Sequence, residues 1–193
     1  TCCPGCFSAY RRVAIQPLVE EWRTHRFFGS LATFGDDRGL TNFVLKKWDV
    51  VYCQKAEATT SVPESVAVYW RQQLRWKKSW IREGLYASTF MWKTRPLLAS
   101  FAFYTDFTFP IVGPLLAGYV LFQSIQRQDP LLFIFFMCGF VLLGIVFSLF
   151  TRVNHRAPNW LYMPYVSLLF VFVFIWQMPF ALATLKNTKW GTR

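Results

Sequence analysis

Polar and apolar positions divide the chain in two: residues 1–95 carry most of the charge, and residues 97–185 are mostly apolar. Within the first part the pattern changes by segment. Over 14–28, Ile15, Leu18, Val19 and Trp22 recur at helical spacing and predict an amphipathic helix. Gly35 breaks that pattern. Asp36 and Asp37 then open a second helix running to about Lys47, since acidic side chains suit the free amides and positive dipole end of a first turn. Asp49 to Gln54 reads as a short buried strand. Ser61-Val62-Pro63-Glu64 has the form of a capping box with proline in the first turn, and predicts a long helix from about Pro63 to Tyr86. That helix mixes Val66, Trp70, Trp76, Trp80 and Leu85 with Arg71, Arg75, Lys77, Lys78 and Arg82. Indole and long cationic side chains together suit a membrane interface.

Three apolar segments follow. Leu97 to Phe122 is interrupted by Asp106, Pro110 and Pro114; Leu131 to Phe150 is uninterrupted; Trp160 to Leu185 contains Pro164, Gln177 and Pro179. The loop between the first two, with Arg127 and Asp129, is near neutral. The next loop, with Arg152, His155 and Arg156, and the tail, with Lys186, Lys189 and Arg193, are positive. Positive loops stay cytoplasmic, so the first two segments cross out and back. The third has positive charge at both ends and reads as re-entrant or interfacial, bent at Pro164 and Pro179, with a simple third span as the alternative.

Composition agrees. A hydrophobic content of 54% with a formal net charge of +11 fits a membrane protein with a basic cytoplasmic face. No basic segment stands free of the apolar ones, which argues against nucleic acid as a partner. The five cysteines are odd in number and Cys138 lies in an apolar run, so a disulfide framework is not expected. Cys3-Pro4-Gly5-Cys6 lacks the second pair that a zinc site needs, and His25 and His155 lie far from it in sequence. The chain opens at Thr1 rather than Met, and the expectation is a piece of a longer protein.

Three clusters have chemical potential. In Phe34-Gly35-Asp36-Asp37-Arg38, a carboxylate at a helix start could take a proton from an attacking hydroxyl, although helix capping alone would also explain it. In Gln72-Gln73-Leu74-Arg75-Trp76, Gln72, Arg75 and Trp76 share a helix face. Arginine can hold a diphosphate through paired hydrogen bonds, and tryptophan offers a flat face to a sugar ring. In the tail, Trp190-Gly191-Thr192-Arg193 joins a flexible turn to groups able to close over a nucleotide.

Taken in this order, the motifs resemble those of the processive family-2 glycosyltransferases, which make cellulose, chitin, chitin oligosaccharides and hyaluronan. Gly35 to Asn42 is similar to the G-D-D-R-x-L-T-N of class I hyaluronan synthases, Gln72 to Ser79 to their Q-Q-x-R-W-x-K-S, and Trp190 to Arg193 to their W-G-T-R gating loop. Pro4 to Tyr10 departs from this pattern: it is closer to the P-G-C-F-S of chitin synthases.

The resemblance implies α/β architecture plus membrane helices. Residues 1–62 would be the C-terminal part of a GT-A catalytic domain and 63–96 interfacial helices. Residues 97–185 would form a membrane region of two spans and a re-entrant or interfacial segment, and 186–193 a gating tail. It implies Asp37 as general base beside Asp36. Gln72, Arg75, Trp190, Thr192 and Arg193 would bind UDP, and Trp76, Gly5, Cys6 and Tyr10 the acceptor. Mg²⁺ or Mn²⁺ would be bound mainly by a D-x-D upstream, with no metal site in this chain.

The implied partners are UDP-GlcNAc, UDP-GlcA, the growing polysaccharide and the bilayer, at the plasma (inner) membrane with the catalytic part cytoplasmic. A chitin-type synthase using UDP-GlcNAc alone is the alternative. A non-catalytic transporter subunit is a third reading, prompted by Asp106 inside an apolar segment.

Overall fold

A computed structural model describes residues 7–27, 29–31, 35–53, 56, 58–155 and 159–186. The chain divides into two compact units, one of residues 1–107 with 181–193, the other of residues 108–180.

In the first unit the opening segment is not one helix. It comprises α1 (Arg12–Ile15), a 3₁₀ turn (Gln16–Leu18) and α2 (Val19–Arg23). Pro17 explains the break, since its ring cannot follow an uninterrupted α-helix. Two two-residue strands follow, β1 (Arg26–Phe27) and β2 (Ser30–Leu31), paired antiparallel with Arg26 opposite Leu31. They are the extent of β structure among the described residues.

Helix α3 (Asp36–Leu45) forms where the paired acids predict it. Its apolar face, Phe43, Val44 and Leu45, is buried with Leu18, Ala87, Phe90 and Met91 in two adjoining clusters that share Val50 and Tyr86. The end of α3 is held by Arg95, whose guanidinium donates to the carbonyls of Leu45 and Trp48 and pairs with Asp49. This caps carbonyls that the helix leaves unpaired. Among the described residues 49–53 the expected buried strand does not form: Val51 and Tyr52 are each 85% exposed and in no strand.

Helix α4 (Val66–Ser88) starts later than the capping-box pattern predicts. Its N-cap is Ser65, which makes no side-chain cap bond. Val62 and Val66 are exposed, so no packed face supports a turn at Pro63. The second half of α4 is buried rather than interfacial, with Lys78, Ser79, Ile81, Arg82, Glu83, Gly84 and Ala87 all inside. Trp80 packs on Phe107, ring centroids 4.9 Å apart. A short α5 (Met91–Thr94) leads into α6 (Leu97–Gln126).

Helix α6 runs through Pro110 and Pro114 without a break, and α7 (Leu131–His155) follows. Both are long and apolar enough to cross a membrane. The third segment is broken. It consists of a 3₁₀ turn (Trp160–Tyr162), α8 (Met163–Leu169), a π-helical turn (Phe170–Phe174) and α9 (Gln177–Ala183), with a 40° bend before α9. Pro179 accounts for the bend, because it has no N–H to offer Ile175. Pro164 does not bend the segment, as it stands in the first turn of α8, where a missing N–H is harmless. Length and composition therefore allow two spans, or three if the bent pair is one.

Helices α7 and α8 meet at Gly144. A Cβ there would lie 2.8 Å from the Pro164 Cα and 2.6 Å from the Ser167 Oγ. One turn on, the Ser148 hydroxyl donates to the Trp160 carbonyl at 2.6 Å, and the Arg152 guanidinium sits 4.6 Å above the Trp160 ring. Gly144→Val is expected to destabilise the protein by about 1–3 kcal/mol, because backbone at Pro164 cannot yield as a flexible side chain would. Thermal unfolding of the purified membrane protein would show it, and an unchanged melting temperature would refute the close packing.

Candidate functional site

The two central motifs sit on helices that touch, α3 and α4. Their closeness rests on two glycines four residues apart. Gly35, the N-cap of α3, is left-handed with φ +79°, and a Cβ on it would fall 1.7 Å from the Ser79 Oγ and 3.4 Å from an Arg82 Nη. One turn later, a Cβ on Gly39 would lie 3.4 Å from the Glu83 Oε2. Ser79 and Glu83 are themselves four apart, so the bare side of α3 lies along one stripe of α4. Asn42 extends the contact, donating from Nδ2 to the Glu83 carbonyl at 2.9 Å and to Oε2 at 3.4 Å.

This docking places the acidic turn. Asp36 is exposed and its carbonyl accepts the Trp22 indole N–H at 3.2 Å. Asp37 is half-buried, and its Oδ1 accepts the Arg38 amide at 2.8 Å. The Asp37 carbonyl accepts the Thr41 hydroxyl at 2.7 Å, and the Tyr10 hydroxyl lies 3.4 Å from the Thr41 oxygen. Tyr10 and Asp37, from separate motifs, are thus linked through one buried threonine.

On α4, Arg75 precedes Ser79 by one turn, about 5 Å along the axis. Gln72 and Arg75 are half-buried and Trp76 is 51% exposed, its ring accessible. Gly5, Cys6, Trp190, Thr192 and Arg193 lie outside the described residues, as do Phe34 and the Cys3–Cys6 motif.

Sequence reasoning missed the support beneath the turn. Arg82 is 3% exposed and Glu83 1% exposed, with the Arg82 Nε donating to the Glu83 Oε1 at 3.0 Å. The His25 Nε2 faces that same oxygen at 4.0 Å. A cavity of about 200 Å³ opens here, lined by Trp22, His25, Gly35, Asp36, Arg82 and Glu83 among others. The legible signal was the Gly35–Gly39 spacing matched to Ser79–Glu83.

Asp106, which interrupts the first apolar segment, is exposed on α6. It lines a larger cavity of about 450 Å³ with Arg38, Trp80, Phe103 and Phe107. Among the described residues no three His, Cys, Asp or Glu side chains gather to hold a metal ion.

No protein-family model matches the chain. Curated relatives do. The chain is 32% identical to the hyaluronan synthase of Streptococcus pyogenes over 191 residues, 99% of this chain and 45% of that protein. It is 30% identical to hyaluronan synthase 2 of Xenopus laevis and to hyaluronan synthase 3 of Homo sapiens, each over 99% of this chain and 34% of the relative. The chain is similar to hyaluronan synthases along its whole length. It spans about half the length of the bacterial relatives it matches and about a third of the vertebrate ones.

The docked helices yield two expectations. Gly35→Ala combines left-handed strain of about 1–2 kcal/mol with a clash worth about 1–3 kcal/mol. Adding Ser79→Gly should recover only the clash, and a double-mutant cycle on thermal stability in the full-length protein measures the split. Full recovery, or none, would contradict the geometry.

The second concerns Lys77, beside Trp76, whose pKa burial pushes down from 10.5 to about 8. The unfolded chain then holds that proton more tightly than the folded one. The resulting destabilisation is complete below pH 8 and disappears as pH rises toward 10.5. Lys77→Met should therefore raise the melting temperature at pH 7, with the advantage fading between those limits. A gain that does not vary with pH would point to packing instead.

Proposed function

We propose that the chain is the C-terminal catalytic and membrane part of a processive, inverting family-2 glycosyltransferase. It would polymerise UDP-GlcNAc and UDP-GlcA into hyaluronan on the cytoplasmic side of the plasma membrane and pass the polymer out between its membrane helices. The observation that carries this reading is the similarity to hyaluronan synthases over 99% of the chain, with the acidic turn and the Gln72–Trp76 motif on touching helices. In this reading residues 1–62 complete a GT-A domain begun upstream.

The chemistry follows from the residues. The Asp37 carboxylate takes the proton of the acceptor hydroxyl as its oxygen bonds to the anomeric carbon of the donor sugar. The bond from that carbon to the UDP oxygen breaks, and its electron pair leaves with UDP. Attack opposite the leaving group inverts the centre. The Gln72 amide and the Arg75 guanidinium donate hydrogen bonds to the departing diphosphate, where negative charge grows. Asp36 adds local negative charge beside the base.

Trp76, with its face accessible, stacks on the acceptor sugar, a contact that tolerates sliding between additions. Tyr10, tied through Thr41 to the backbone of Asp37, sets the acceptor side together with Gly5 and Cys6. Trp190, Thr192 and Arg193 close over the nucleotide. A divalent ion, Mg²⁺ or Mn²⁺, would be held mainly by a D-x-D upstream and would offset negative charge on the departing diphosphate.

Pro4-Gly5-Cys6-Phe7-Ser8 favours a second reading, a chitin or chitin-oligosaccharide synthase with the same mechanism. Membranes containing the full-length protein separate the two. Polymer that requires both UDP-GlcNAc and UDP-GlcA and is cut by hyaluronidase supports hyaluronan. Chitinase-sensitive polymer from UDP-GlcNAc alone overturns it. In the same assay Asp37→Asn is expected to lower the rate at least about 100-fold with normal membrane insertion; near-wild-type synthesis would remove Asp37 from the base role.

A further inference from the structure

We infer that Glu83 is a positioning residue: acting through Arg82 and Asn42, it fixes where the acidic turn lies relative to Arg75 and Trp76, and so sets the turnover rate rather than substrate affinity. The rate claim rests on the proposed function; the claim about position does not.

Glu83 is 1% exposed, and burying a carboxyl group is costly unless its oxygens are paired. Its contacts radiate to each part that defines the turn. Oε1 accepts the Arg82 Nε at 3.0 Å and faces the His25 Nε2 at 4.0 Å. Oε2 lies against Gly39 and accepts the Asn42 Nδ2 at 3.4 Å, while the Glu83 carbonyl accepts the same nitrogen at 2.9 Å. The Arg82 guanidinium that Glu83 orients in turn packs beneath Gly35, immediately before Asp36 and Asp37. One carboxylate therefore bears on the first turn of α3 through Arg82 and on its middle through Asn42.

Glu83 also shares a helix with Gln72, Arg75 and Trp76. A rigid α4 carries both the carboxylate that docks α3 and the groups proposed to hold diphosphate and acceptor. The separation between base and leaving-group site is then fixed by α4 itself, with Glu83 as the joint. Misplacing a reacting group by an ångström costs about 100-fold in rate without touching the binding groups. Glu83 lies about two turns beyond Trp76, and its hydrogen bonds run to Arg82 and Asn42 rather than to Gln72, Arg75 or Trp76.

The test uses the full-length protein in membranes, with kinetics of polymer synthesis and hydrogen–deuterium exchange on the same variants. Glu83→Leu removes the acceptor at similar volume. Its expected effects are a fall in kcat of at least about tenfold, a KM for the UDP-sugar within about twofold of wild type, and faster exchange over residues 36–42 with α7 unchanged. Glu83→Gln keeps one side-chain acceptor for Arg82, while Asn42 retains the Glu83 carbonyl, so its loss of kcat should be clearly smaller than that of Glu83→Leu. If Glu83→Leu fails to accumulate, Asn42→Ala replaces it, with the same split at smaller size. Unchanged kcat, a loss expressed mainly in KM, or unchanged exchange over 36–42 would each overturn the inference. If the wild type makes no polymer, the proposed function fails, and the exchange measurement alone decides whether Glu83 holds the turn.

Discussion

The described part of the first unit depends on how closely α3 can approach α4. Helices with ordinary side chains at the contact keep their axes 8–10 Å apart. Gly35 and Gly39 remove the side chains that would hold α3 off, and Ser79 and Glu83 occupy the space. The apolar residues on the other side of α3 then reach the Leu18 and Phe90 clusters, and Arg95 closes the far end. A glycine in the left-handed region is also the natural hinge into a helix whose first turn must present two carboxylates. One local feature thus serves the packing and the chemistry together, and neither could change alone.

The second unit solves a different problem by a similar device. In an apolar surrounding, burying more apolar surface gains nothing, so close packing and buried polar bonds must hold helices together. Gly144 lets α7 approach α8, and Ser148 and Arg152 satisfy Trp160 along the same face. Most other side chains of α7 point outward and are apolar, as contact with lipid requires.

Much of this was legible in the residues. The two long apolar helices and the helix opened by Asp36 and Asp37 follow from hydrophobicity, periodicity and capping, whereas a common site for the acidic turn and Gln72–Trp76 came only from the family resemblance. The misreadings have physical causes. Pro17 divided an amphipathic pattern that looked continuous. The capping box at Ser61 failed because no packed face supported it, and a cap contributes only about 1 kcal/mol. Asp49–Gln54 has strand-like residues and no neighbour to pair with among those described. Arg82 was read as interfacial because cationic and indole side chains alternate along that helix. Its burial depends on Glu83 and on two glycines some forty residues earlier, a relation that no local window contains.

That burial also says what kind of work the pair performs. Replacing a buried ion pair by apolar groups of matching shape is often neutral or stabilising, so Arg82 and Glu83 are poorly explained as contributors to fold stability. A leucine pair could fill the volume. It could not direct a planar guanidinium beneath Gly35 and a carboxylate against Gly39 and Asn42 at once. Directional bonds restrict angle and distance where dispersion contacts permit sliding, and the segment they restrict is the one bearing Asp36 and Asp37. For the proposed reaction, in which a base, a hydroxyl and an anomeric carbon must align, a directional pair under the acidic turn is better suited than a larger apolar core, even at equal stability.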